Sequence, residues 1–224
     1  MPMTRLFCLY CLAMRIDRAG TPFIVGALAP AALALVARRP RLAIPFLALA
    51  GFMAYFFRDP ERTVPVGDDL VVAPADGKIM VAGPAEPGVP PPGDWQQISI
   101  FLSPVDVHIN RIPFSGTVER VEYTPGKFLP AYQAESAAQN ERNELWIRRG
   151  ERLVVARQLV GILARRIVCR VAPGTAVLAG DRFGLMKFGS RMDVFVPPGV
   201  AIAVKVGDRV VGGETVLARW PAGR

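Results

Sequence analysis

A serine preceded by glycine, Gly189-Ser190, sits between two strand-like apolar runs in Leu185-Met186-Lys187-Phe188-Gly189-Ser190-Arg191-Met192-Asp193-Val194-Phe195-Val196-Pro197. A serine hydroxyl in that position can attack the carbonyl before it. Glycine offers no side chain to block the approach and tolerates a strained backbone. The same pair also makes an ordinary turn between strands. Two further segments carry residues that do chemistry. Ala73-Pro74-Ala75-Asp76-Gly77-Lys78 sets a carboxylate at a glycine turn, which is a candidate base and also the composition of a common hairpin turn. Ser103-Pro104-Val105-Asp106-Val107-His108-Ile109-Asn110-Arg111-Ile112-Pro113 holds the chain's one histidine, His108. Asp106 and Asn110 flank it at two-residue spacing, so on a strand the three share a polar face, with Val107, Ile109 and Ile112 apolar. A lone histidine is often structural. Beside such neighbours it can also be a general acid or base, because they set its tautomer and charge.

The elements that must position these groups follow from composition. The chain has 224 residues, 51% of them hydrophobic, and a formal net charge of +8. Lysine occurs only at Lys78, Lys127, Lys187 and Lys205, so most of the positive charge is arginine. A basic, apolar chain suits an anionic membrane surface or nucleic acid. No stripe of interleaved basic and aromatic residues supports nucleic acid, so none is expected as a partner. Cys8 and Cys11 have C-x-x-C spacing without a second pair, and His108 is far away, so no zinc site is expected. Cys169 reads as core.

Two apolar runs come first, Thr21 to Ala37 and Leu42 to Phe57, joined by Arg38-Arg39-Pro40-Arg41. Each is near or below the ~17 to 25 residues that span a bilayer, and each carries a proline, Pro30 or Pro45. Two runs in series, well inside the chain, do not fit a cleaved signal peptide. Neither shows a polar face, which favours a membrane role over a buried hairpin of a soluble core. The basic linker suits anionic headgroups on the cytoplasmic side.

After Asp59-Pro60 the runs become short and rich in valine and isoleucine. Strands are predicted at 70–73, 78–82, 96–102, 107–112, 117–123, 144–148, 152–158, 166–171, 183–188, 191–196, 201–206 and 215–218, with Arg149-Gly150 as a hairpin turn. Pro84 to Gly93 and Pro125 to Asn140 read as exposed loops, the second too long for a simple turn. The expected fold is mainly β, α+β overall: a compact body of short strands with an N-terminal apolar helical hairpin. The expected domains are a membrane-associating helical segment, 1–58, and a β-rich catalytic domain, 59–224.

At the level of motifs the chain resembles the phosphatidylserine decarboxylase proenzymes, in their short bacterial form. The resemblance rests on Phe56-Phe57-Arg58-Asp59-Pro60-Glu61-Arg62, Ala73-Pro74-Ala75-Asp76-Gly77, Ser103-Pro104-Val105-Asp106-Val107-His108, Gly126-Lys127-Phe128, Asn140-Glu141-Arg142-Asn143 and Phe188-Gly189-Ser190, in family order. It implies self-cleavage between Gly189 and Ser190 into a large chain, 1–189, and a small chain, 190–224, that stay associated. Ser190 would become a covalent pyruvoyl group, the one cofactor, with neither pyridoxal phosphate nor a metal. That ketone would condense with the amine of phosphatidylserine, act as electron sink for loss of CO2, and release phosphatidylethanolamine. The implied setting is the cell membrane, with the catalytic domain on the cytoplasmic side and an anionic membrane as partner. A homo-oligomer is left open.

One position departs from the longer members, which resemble Asp-Tyr-His-x-x-His-x-Pro. Here the first histidine is His108 and the second position is Arg111, which cannot act as a base near neutral pH. The processing base is then His108 serving both stages, or Asp76 or Asp106 acting directly. His108 is favoured mainly as the proton donor of decarboxylation, and the catalytic set is Ser190, His108, Asp76 and Asp106. Two other readings compete. Met186-Lys187-Phe188 with Val204 to Val210 resembles a biotinyl- or lipoyl-type carrier, although in carriers the Val-Gly-Asp segment precedes the modified lysine. A membrane-anchored β protein without catalysis is the other.

Overall fold

The structure is a computed structural model that describes residues 15–133, 135–162, 166–187 and 190–221. Gly189, Cys8 and Cys11 lie outside the described residues. The chain divides into two compact units, Met1–Glu61 and Arg62–Arg224.

The first unit is a helical hairpin, α1 (Thr21–Val36) and α2 (Pro40–Phe56). Proline in the first turn of each helix occupies a position where no amide hydrogen is needed. Asp17 Oδ1 accepts from the Ala19 N–H at 2.8 Å and caps the short turn before α1. Between the helices Arg38 adopts a left-handed backbone with φ 55°. The buried residues within the two helices are Ala27, Ala31, Ala43, Ala50 and Phe56. Small side chains at the seam let the helix backbones approach, while Phe23, Leu28, Leu33, Leu35, Leu42, Ile44, Phe46 and Phe52 remain exposed. A helix spanning Arg18–Val36 is long and apolar enough to cross a membrane, whereas α2 is shorter.

Strands flank and follow the hairpin: β1 (Arg15–Ile16), β2 (Arg58–Asp59), β3 (Leu70–Val72), β4 (Gly77–Pro84), β5 (Gln96–Leu102), β6 (Ile109–Arg111), β7 (Gly116–Thr124) and β8 (Arg142–Arg149). The rest are β9 (Arg152–Val160), β10 (Ile167–Cys169), β11 (Ala176–Val177), β12 (Arg182–Met186), β13 (Ser190–Val196), β14 (Ala201–Ile202), β15 (Arg209–Val210) and β16 (Val216–Arg219). β1 pairs with β2 inside the first unit. The second unit has an eight-stranded sheet in the order β11-β7-β8-β9-β13-β5-β4-β15, and two three-stranded sheets, β10-β12-β6 and β14-β16-β3. The protein is therefore mainly β with α+β character, as the short valine- and isoleucine-rich runs predict.

β13 lies near the centre of the main sheet, and all seven of its residues are buried. Its alternation sorts them onto two faces. Met192, Val194 and Val196 join Ile98, Ile100 and Leu102 of β5 and Val154 and Ala156 of β9 in the main core. On the other face Phe195 packs with Val155, Leu159 and Trp146, under Val89, Trp95 and Ala131. Neither predicted loop is simply exposed: Val89 within Pro84 to Gly93 is buried, and Pro125 to Asn140 holds a short helix, Ser136–Gln139, with Ala131 and Ala137 buried. Charges on that second face are paired: Arg191 Nε to Asp193 at 2.6 Å, and Arg157 to Glu144 at 2.7 Å. The β8–β9 turn falls on Gly150-Glu151, one residue later than the sequence suggests, and Gly150 takes φ 58°.

Candidate active site

Ser190 is the first residue of β13 and is opposite Leu102 on one side and Val160 on the other. It is 0% exposed, and its Oγ has no hydrogen-bond partner among the described residues. A buried hydroxyl without a partner costs free energy, so its presence calls for an explanation outside packing.

Asp76 occupies the turn between β3 and β4. Lys78 is opposite Phe101 on β5 while Ser190 is opposite Leu102, so Asp76 lies at the same end of the sheet as Ser190, with β5 between them. A Cβ on Gly77 would strike the Phe101 carbonyl oxygen, so this turn requires glycine to close on β5. The Asp76 carboxylate accepts from Arg62 Nη2 at 3.0 and 2.8 Å and from the Gly212 N–H at 2.8 Å. Burial pushes its pKa above the ordinary carboxylate value. The Gly212 N–H and the Arg62 guanidinium oppose that shift, and the Asp106 charge adds to it. Desolvation outweighs the ion pair here.

The histidine segment is placed differently from the single strand face that its spacing suggests. Only Ile109–Arg111 is strand. Asp106 lies in a turn whose N–H donates to the Ser103 carbonyl at 3.0 Å. Its Oδ2 accepts from the Ser103 N–H at 2.8 Å and the Ser103 hydroxyl at 2.6 Å, and its Oδ1 accepts from Arg209 Nη2 at 2.8 Å. The carboxylate is therefore turned back on its own loop. It is the Asp106 backbone oxygen that meets His108, 2.9 Å from Nδ1. Proline at 104 explains the difference, because it bends the chain before alternation can start. His108 is 1% exposed. Asn110 Oδ1 accepts from Gln158 Nε2 at 2.9 Å. Arg111, at the position of the second histidine, is buried and donates from Nη1 to the Gly180 carbonyl at 2.9 Å. Its backbone N–H donates to the Pro74 carbonyl at 2.8 Å, which ties the histidine segment to the Asp76 turn.

The fold thus gathers Asp76, Asp106 and the histidine segment together, at the end of the sheet where β13 begins. It makes no hydrogen bond between Ser190 Oγ and any of them. Sequence reasoning passed over Arg62 and Arg209, the cations that hold the two aspartates, and Gln158. The signal for Gln158 was an amide inside the apolar run Leu153 to Val160. On the carrier reading Lys187 would be the modified lysine; it is half-buried, and Met186 beside it is buried in the main core.

Comparison with known proteins bears on the same residues. The phosphatidylserine decarboxylase family model matches residues 49–218. A phosphatidylserine decarboxylase proenzyme of Chlorobium phaeobacteroides is 44% identical over 186 residues, covering 83% of this chain and 87% of the relative. One from Solibacter usitatus is 41% identical over 206 residues, covering 92% and 97%. Another, from Gluconacetobacter diazotrophicus, is 48% identical over 178 residues, covering 75% and 77%. With three quarters or more of each chain aligned at this identity, the chain belongs to the phosphatidylserine decarboxylase family.

Proposed function

We propose that the protein is a proenzyme that cleaves itself between Gly189 and Ser190 and then decarboxylates phosphatidylserine to phosphatidylethanolamine and CO2. The observation that carries this reading is the buried Ser190 hydroxyl at the start of β13, without a partner among the described residues, in a chain whose relatives are named proenzymes. Ser190 Oγ loses its proton to a base and bonds to the Gly189 carbonyl carbon. The C–N bond then breaks and its nitrogen takes up a proton, which leaves an ester and a free amine. Removal of the Ser190 α-proton breaks the Cβ–Oγ bond and releases residues 1–189 as a carboxylate. Water replaces the nitrogen, ammonia leaves, and residue 190 becomes a pyruvoyl group.

Asp76 suits the role of processing base. Both aspartates are held by an arginine and a backbone N–H, Asp76 by Arg62 and Gly212 and Asp106 by Arg209 and Ser103, and burial makes the Asp76 carboxylate more basic than an exposed one. The pyruvoyl group supplies a ketone that takes up the substrate amine and accepts the electron pair left by CO2. The chain's residues fit such a group at 190: β5 and β9 pair with that position on both sides and would hold the new N-terminus of the small chain. The same ladders would keep chains 1–189 and 190–224 together after cleavage. His108 is the proton donor to the α-carbon, and the Asp106 backbone oxygen fixes its ring. Residues 1–58 serve as the membrane segment and 59–224 as the catalytic domain, on the cytoplasmic side of the cell membrane.

Mass spectrometry of the purified protein tests cleavage and residue 190 together. The expected result is two chains, with the small one lacking a serine N-terminus and carrying the mass of a pyruvoyl group. Ser190→Ala is expected to give a single chain without activity, because it removes both the nucleophile and the source of the ketone. Two chains from that variant would refute the assignment.

A further inference from the structure

Three buried amides form a chain on the face of the main sheet where Ser190 lies. Asn143 Nδ2 donates to Gln158 Oε1 at 3.0 Å, and Gln158 Nε2 donates to Asn110 Oδ1 at 2.9 Å. Each amide thereby fixes the orientation of the next. The last one must present Nδ2, and that nitrogen is buried with no partner among the described residues. Asn110 and Gln158 are 0% exposed and Asn143 is 4% exposed. A buried N–H without an acceptor costs about 1–3 kcal/mol. An apolar residue at 110 would avoid that cost, yet the chain holds the donor and sets two further amides behind it.

The placement puts the amide chain on the face of β13 that carries Ser190. Gln158 is opposite Met192, and Ser190, two residues before Met192, is opposite Val160. Gln158 and Ser190 therefore share a face, about 7 Å apart along the strand direction. β6 brings Asn110 over this face beside Gly184, its partner in register on β12. A Cβ at Gly184 would strike the Val168 carbonyl oxygen and stand 3.0 Å from Gln158 Nε2, so the missing side chain leaves room for the amide. A nucleophile and a donor, both buried and both without a partner among the described residues, thus belong to one face.

We propose that Asn110 Nδ2 donates to the oxyanion that forms on the Gly189 carbonyl when Ser190 attacks it, with Gln158 and Asn143 as positioning residues. This rests on the self-cleavage reading above. In that step the Oγ–C bond forms, the carbonyl π pair moves onto oxygen, and the pair returns as the C–N bond breaks. A donor idle before the reaction and engaged only as charge develops lowers the barrier, because it stabilises the transition state and not the ground state.

The test is a pulse-chase of the full chain made by cell-free synthesis, timing the appearance of chains 1–189 and 190–224. Asn110→Asp keeps the size and the acceptor for Gln158 but loses the donor, and is expected to cleave about 10²-fold more slowly. Hydroxylamine, which cuts an accumulated ester, is expected not to rescue it, since the block precedes the ester. Gln158→Glu keeps the acceptor for Asn143 but cannot donate to Asn110, and slows cleavage in the same direction by less. Cleavage of Asn110→Asp at the parent rate, or an ester that hydroxylamine cuts, overturns the proposal. Melting in the Ser190→Ala background checks folding. If Asn110→Asp unfolds there, Gln158→Glu carries the test, and its cleavage at the parent rate overturns the proposal. Cleavage of Ser190→Ala run alongside would instead refute self-cleavage itself.

Discussion

A ring nitrogen facing a backbone carbonyl can only donate to it, so the 2.9 Å contact with the Asp106 oxygen places the His108 proton on Nδ1. On the proposed reading, Nε2 is then the atom that would take and return a proton. Processing is a single turnover and tolerates a slow step, whereas decarboxylation must repeat. His108→Ala is therefore expected to mature yet lose about 10²- to 10⁴-fold in turnover, read as chain cleavage on a gel beside product formation by the same preparation. A wholly uncleaved variant would make His108 the processing base; full activity would make it structural. Asp76 gives a pH signature. Its folded pKa is raised, so its stabilising contribution is complete below the ordinary value near 3.8 and is lost as pH rises through the folded pKa. Asp76→Asn in the Ser190→Ala background should gain Tm relative to its parent as pH rises through that window. A relative loss over the same range would contradict the burial argument.

Strands with clear alternation were legible in the sequence. The run Gln96–Leu102 is strand over its whole predicted length, and Arg191 to Val196 needed only Ser190 added. Two-residue strands such as β11 and β15 carry too few residues to show a period, and their pairing is set by neighbours distant in the chain. The candidate site was legible as Ser190, Asp76 and the histidine segment, because each breaks the pattern around it. Its orientation was not, since the turn at Pro104 and the partners Arg62 and Arg209 depend on tertiary contacts. Gly184 shows how one element sets another. Gly184→Ala would push β12 from the Val168 carbonyl of β10 and from Gln158. The expected cost is about 1–3 kcal/mol, read as a lower Tm in the Ser190→Ala background, with slowed cleavage in the otherwise unchanged chain. A variant with unchanged Tm and cleavage would mean the two strands separate freely.

Across the whole molecule, the two compact units bury apolar surface in opposite ways. The β unit encloses its hydrophobic residues on both sides of β13. The helical unit hides chiefly alanines at its seam and leaves Phe23, Leu28, Leu33, Ile44, Phe46 and Phe52 outward. Water is a poor solvent for a surface of that size, and lipid is a good one. A helix of 19 residues, Arg18–Val36, is about 28 Å long, close to the roughly 30 Å of a hydrocarbon core. Arg38, Arg39 and Arg41 stand exposed at the turn, where each would contribute about 1 kcal/mol at an anionic surface. If the substrate is a lipid, this unit keeps the catalytic strands where the lipid is. Deleting residues 1–57 removes both helices and leaves every strand of the second unit in place. The truncated chain is expected to leave membrane pellets for the supernatant, to cleave between Gly189 and Ser190, and to lose activity on phosphatidylserine in vesicles while keeping more of it in detergent micelles. Full retention in the pellet would put the anchor on the β unit instead.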